Sequence, residues 1–267
     1  MLLPIADIYS QPVTLVPDTL ATSLDEASSL SITPTGLIYL TESDRHRLLV
    51  LSPDGTRVDS LGARGGGDYR FNSPTSVDAT NGLKIYVADE NNYRIQLYDR
   101  RFQFLSSITA EKIEDQRRFR PTQVQVSNEG DLFAYDADRH VIYIFDPLGN
   151  YRREMDLSSF NMGSDIQMKV TGSIMMVLDR GQGVVHRFTA DGGYLNFLGG
   201  FNDIKAIHAS QEGIWAMEDR LLFEMDSRGN IIGTYSFEDN IEVRDIFFFE
   251  HAVYILSAHQ LIKARFQ

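Results

Sequence analysis

There is no cysteine among the 267 residues, which excludes disulfides, thiolate metal sites and cysteine nucleophiles. Positive charge is also scarce. The 25 Lys and Arg stand against 37 Asp and Glu, a formal net charge of −12 that disfavours non-specific binding to nucleic acid or anionic membrane. No apolar run approaches the roughly 18 residues that a membrane span requires, so no membrane insertion is expected. The N-terminus, MLLPIADIYSQPV, lacks a basic leader and is interrupted by Pro4 and Asp7, so it does not read as a signal peptide. As it stands the chain reads as cytoplasmic, and as exported if a signal was removed before residue 1. Helical periodicity is missing almost throughout, with room for a helical turn only over Ala110 to Arg120. The six histidines show no local ligand spacing, and neither a G-x-S-x-G elbow nor a paired-acid motif occurs.

What is present is a repeated phrase. Ile85 to Asp99 reads IYVADENNYRIQLYD, two short alternating strands joined by a polar loop. The same phrase begins at Ile38, Leu132, Ile174, Ile214 and Val253. The residues that end the first strand of each pair are Glu42, Asp89, Asp136, Asp179, Glu218 and Ser257, spaced by 47, 47, 43, 39 and 39. That near-period has room for four strands and fits a blade-type repeat. A shorter apolar segment precedes each pair, as in PTSVDA (Pro74 to Ala79) and PTQVQV (Pro121 to Val126). Turns such as Asn81-Gly82 and Pro53-Asp54-Gly55 separate the strands.

Six four-stranded antiparallel meanders imply an all-β, six-bladed β-propeller. The blades are placed at 24–62, 71–108, 119–157, 163–199, 201–238 and 241–267, all within one domain over 1–267. The sixth runs out of chain after three strands. Pro12 to Val16 (PVTLV) is the expected N-terminal strand that completes it and closes the ring.

Blade two carries Pro74, Val77, Gly82, Ile85, Tyr86, Val87, Ala88, Asp89, Asn92, Arg94, Ile95, Gln96 and Asp99. This pattern resembles the NHL repeat family of β-propellers, as does the glycine-rich lead-in Gly65-Gly66-Gly67 to Phe71-Asn72-Ser73-Pro74. Blades one and three match moderately, and blades four to six keep the strands but lose most motif residues. The resemblance implies the propeller fold and leaves scaffold, RNA reader and enzyme all open, because one fold hosts many activities.

The recurring acid and the arginine after it (Asp89 with Arg94, Glu42 with Arg47, Asp136 with Arg139) read as architecture, a carboxylate accepting turn N–H groups. GARGGG at Gly62 to Gly67 lacks the helix and Lys-Ser/Thr of a phosphate loop and reads as a flexible connection between blades. His208 falls on an innermost strand and is the one candidate for an axial metal site; no other metal ligand and no cofactor is expected. Arg117, Arg118, Phe119 and Arg120 form the local candidate for single-stranded RNA, set against flanking Glu111, Glu114 and Asp115, so nucleic acid is not the expected partner. No catalytic residue is assigned.

The expected function is a non-enzymatic platform for a protein or peptide partner, on its own or within a larger complex. Its candidate binding residues are Arg45, His46, Asn91, Asn92, Tyr93, Arg139, His140, Arg180, Gln182 and Asp219, all in loops between second and third strands. The rival is a metal-dependent lyase or hydrolase with its site on the axis, and RNA binding is a second alternative. The sequence does not specify an oligomeric state.

Overall fold

Alternation of apolar and polar residues decides the architecture: each short strand must bury both faces of its sheet, and neighbouring sheets supply the cover. In the computed structural model, which describes residues 12–113, 118–199, 201–210 and 213–266, six sheets stand radially around an axis. Blade one comprises Ala27–Ile32, Ile38–Glu42, Arg47–Leu51 and Arg57–Leu61. Blade two comprises Pro74–Asp78, Lys84–Asp89, Arg94–Asp99 and Phe104–Ile108. The innermost strands of blades three to six are Pro121–Val126, Ile166–Thr171, Ala206–Ala209 and Asp245–Phe249. Every blade is an antiparallel meander outward from the axis.

The ring is closed by an N-terminal strand, as expected, but not by Pro12 to Val16. Pro17–Thr22 pairs antiparallel with Gln260–Arg265 and becomes the outer strand of blade six. Val13–Thr14 instead lies parallel to Tyr235–Ser236, a fifth strand on blade five. Two short alternating stretches stand side by side here, and the choice between them rests on pairing partners remote in sequence. Pro17 sits at the first strand position, where a missing N–H is tolerated.

The core is six wedges, one at each junction between blades. Between blades one and two, Tyr39, Leu48 and Val50 meet Phe71, Val77, Val87 and Tyr98. Between blades five and six, Trp215 stacks on Phe248 at 4.6 Å and packs with Tyr235 and Phe266. Burying such rings contributes ~2–3 kcal/mol each, and it recurs at every junction. The helical turn expected from Ala110 is a single 3-10 turn, Ala110–Ile113; residues 114–117 lie outside the described residues.

Candidate functional site

The acids that mark the repeat are hooks. Glu42, Asp89, Asp136 and Asp179 are fully buried at the ends of their strands. Asp89 accepts the Asn72 N–H at 2.7 Å, Asn92 Nδ2 at 2.8 Å and Arg94 Nε at 2.9 Å. Burial pushes its carboxyl above the usual range against those donors. Glu42 takes the Asp25 N–H, Asp179 the Gly163 N–H and Glu218 the Asn202 N–H. In each case the carboxylate ties a blade to the chain segment that enters it. The GARGGG stretch is likewise tied down rather than flexible. Asn92 and Arg94 donate to the Gly65 and Gly67 carbonyls, and the Tyr98 hydroxyl donates to the Asp68 carbonyl.

Several candidate loop residues share this structural work. His46, Tyr93 and His140 occupy the same left-handed position of their loops, with φ of +51°, +57° and +56°, where blade four has Gly183. His46 Nδ1 accepts the Ser73 N–H at 3.0 Å, and His140 Nδ1 lies 3.1 Å from the Tyr135 hydroxyl. Arg139 pairs with buried Asp136, and Gln182 donates to the Asn161 carbonyl. Arg180 joins three blades by donating to the carbonyls of Lys205 and Arg244 and pairing with Asp165. Arg45, Asn91 and Asp219 are exposed on the same face.

Six inner strands running in one sense give the axis two distinct mouths. At the strand starts lies a hollow of about 290 Å³ with walls from five blades, among them Ser28, Thr75, Gln123, Asp165 and the arginines Arg120, Arg180 and Arg244. Arg120 pairs with Glu90 and Asp138, and Arg244 with Glu26 and Glu242. Sequence reasoning passed over Arg244 and Asp165 at this mouth. Their signal is position, since Arg120, Asp165 and Arg244 each stand immediately before an inner strand.

The basic stretch raised for RNA is spoken for locally. Arg118 reaches the Tyr93 hydroxyl at 3.0 Å and stacks over its ring, Phe119 is fully buried, and Arg117 lies outside the described residues.

Between the mouths the axis is plugged by a polar network that the sequence reading did not foresee. An inner strand has no ladder partner on its axial side, so its N–H groups need other acceptors. Ser29 takes the Val77 N–H, Ser31 that of Ala79, Ser76 that of Val124 and Asp78 that of Val126, each pair 48 residues apart. Gln167 takes the Ile207 N–H and Asp245 the Leu30 N–H. Asp245 also accepts from Gln167 Nε2 at 2.5 Å and from Lys169 Nζ at 3.0 Å, which spans the axis between blades four and six. Lys169 and Asp245 are both buried.

His208 borders the far mouth, at the strand ends. It is 5% exposed and its ring lies 4.4 Å from that of Phe247. Burial, with a smaller contribution from the Lys169 ammonium, pulls its imidazole down to about 3. Asp203 lies outside Ala206–Ala209 and pairs with Lys205. Among the described residues no group of three or more His, Asp or Glu side chains gathers around His208 or elsewhere.

Residues 71–98 match the NHL repeat model. NHL repeat-containing protein 3 from Homo sapiens and from Mus musculus are 35% and 33% identical to this chain over 79 residues. Those residues make up 28% of this chain and 23% of each relative, so the match spans less than a quarter of the curated relatives' length. Among solved structures, a gluconolactonase from Xanthomonas campestris superposes with a TM-score of 0.69 at 14% identity, covering 94% of this chain and 89% of that one. A virginiamycin B lyase from Staphylococcus aureus superposes with a TM-score of 0.66 at 12% identity, covering 95% and 99%. At such identity the likeness is one of fold alone. The chain is a six-bladed β-propeller whose second blade matches the NHL repeat.

Proposed function

We propose that the chain is a non-enzymatic interaction module that holds a protein or peptide partner on the face of the second-to-third strand loops, centred on the arginine-lined mouth of the axis. The observation that carries this reading is the hollow of about 290 Å³, to which Arg120, Arg180 and Arg244 contribute from separate blades. Two of these arginines are available for exchange. Arg120 and Arg244 are 39% and 41% exposed, and Asp138 and Glu242 opposite them are 48% and 67% exposed. Such surface pairs contribute ~0–1 kcal/mol, so an incoming carboxylate replaces them at little cost. The partner chemistry that fits is an acidic side chain or a peptide C-terminal carboxylate, with Arg45, Asn91 and Asp219 extending the contact outward.

The chain with Arg120→Glu and Arg244→Glu is compared with the unaltered protein in affinity co-purification from its source cell, with bound proteins quantified by mass spectrometry. Loss of a specific partner while the thermal unfolding temperature is kept is the expected result. Equal recovery from both proteins refutes the assignment of the face.

A further inference from the structure

The opposite mouth carries a second hollow, of about 270 Å³, bordered by residues from all six blades. It has the volume of about nine waters at ~30 Å³ each, enough for a small organic molecule. Its walls include Leu30, Val126, Val170, Phe247 and Phe248, with Lys169 and His208 also among the lining residues.

His208 is the anomaly. The other buried polar side chains along the axis are used: both oxygens of Asp245, both ends of Gln167, both oxygens of Asp78, and the hydroxyls of Ser29, Ser31 and Ser76. His208 Nδ1 is buried and has no hydrogen-bond partner among the described residues. A buried polar nitrogen left unsatisfied costs ~1–3 kcal/mol, and its ring contact with Phe247 does not satisfy it. Blade five could have placed an apolar residue here, as blade six does with Phe247, but places an imidazole instead.

Charge at the site selects among ligands. Lys169 and Asp245 form a buried pair that cancels, and Asp78 faces the same ammonium from blade two. A bound cation meets Lys169, and a bound anion meets Asp245 and Asp78 across a medium of low dielectric. Burial raises the Asp78 carboxyl and so disfavours its charged form, which leaves neither ion a strong counter-charge to meet.

We propose that this hollow is a binding site for a small neutral ligand, an apolar ring or branched chain bearing one hydroxyl or amide that hydrogen-bonds to His208. The apolar body lies against Phe247, Phe248 and Val170, and the polar group satisfies the imidazole. The site is on the far side of the axial plug from the arginine mouth, so it stands or falls independently of the partner-binding reading.

An isosteric series separates the charge classes: benzyl alcohol, benzoate and benzylamine. Each is titrated into protein labelled with 13C at the histidine ring. The His208 resonance is identified by its loss in His208→Gln. Benzyl alcohol is expected to move that resonance with a Kd on the order of 1 mM, with benzoate and benzylamine weaker by at least about tenfold. Asn128→Trp places a large ring at the exposed rim without touching the plug, and is expected to abolish the shift. An unmoved His208 resonance with benzyl alcohol overturns the proposal. Equal or tighter binding of benzoate or benzylamine overturns it too, as does full retention of binding in Asn128→Trp.

Discussion

Removing the carboxylate of Asp245 is the sharpest test of the axial plug. In Asp245→Ala four donors lose their acceptor at once: the Lys169 ammonium, the Gln167 amide and the Leu30 and Ile246 N–H groups. An ammonium left buried without its partner costs ~3–5 kcal/mol, and each neutral donor ~1–3 kcal/mol. The sum overshoots, because water from the neighbouring hollow can reach the space the carboxylate leaves. We expect a net loss of about 4 kcal/mol, or a fall in Tm of roughly 8–16 °C for a domain of this size. Lys169→Met alone removes the charge but leaves Asp245 two backbone donors and Gln167, so its cost is about 2 kcal/mol. The double variant should therefore be more stable than the sum of the singles predicts, with a coupling of about 2 kcal/mol. Urea unfolding read by circular dichroism and by the fluorescence of Trp215, the single tryptophan, measures all three variants on one scale. A loss below about 1 kcal/mol for Asp245→Ala, or strict additivity, refutes the account of the plug.

Three further outcomes follow from the same geometry. His208 is held at about 3 while an unfolded histidine titrates near ~6.5, so between those values only the unfolded chain takes up the proton. Its contribution is therefore complete above the unfolded value and is lost as pH falls toward the folded one. In urea melts, His208→Leu should remove on the order of 3 kcal/mol of the stability difference between pH 7 and pH 4, and an unchanged pH slope contradicts the assignment. Gly55 has φ +86° and an added Cβ would stand 2.2 Å from the Leu20 carbonyl oxygen on the closing strand, whereas Gly172 has φ +52° and open space. Gly55→Ala should cost at least ~2 kcal/mol and Gly172→Ala ~1 kcal/mol, and equal Tm shifts would show that the strand is not seated there. Arg180→Lys cannot reach two carbonyls and a carboxylate together, so thermal unfolding should reveal a loss of about 1–2 kcal/mol. A shift within about 0.3 kcal/mol would mean that the bridge among blades four to six is not used.

The number of blades and most strand bounds were legible because a repeat states each boundary several times. Asp89 and its counterparts were legible as hooks for the same reason. The closing strand was not, since Pro12 to Val16 and Pro17–Thr22 occur once each and differ only in which distant edge they meet. The serine and aspartate bridges across the axis left a trace, a polar residue at alternate inner-strand positions in Ser29, Ser31, Ser76 and Asp78. The Lys169–Asp245 pair left none, because it joins blades four and six at a separation of 76 residues that no repeat period marks. His208 was legible as an inner-strand residue but not as an unsatisfied one; that depends on what Lys169 and Phe247 do around it.

The decay of the motif toward the C-terminus has a physical reading. In blades one and two the hooks are local: Glu42 and Asp89 hold the segment entering their own blade, and serines of one inner strand serve the next. Blades four and five keep this hook in Asp179 and Glu218, and the later blades add longer bridges. Arg180 spans three blades. Gln167 and Asp245 each serve two partners on different blades. A ring needs every junction closed but not by identical residues, so the later blades can exchange repeat residues for these bridges without losing the fold. What the exchange leaves at the axis is asymmetric: arginines at one mouth, and a neutral charge pair beside an unsatisfied imidazole at the other. An ideal sixfold repeat would place identical residues around both mouths and could distinguish no ligand by orientation. On the two proposed readings, selectivity therefore lies in blades three to six, where Arg120, Lys169, Arg180, His208 and Arg244 depart from the pattern that blade two states most fully.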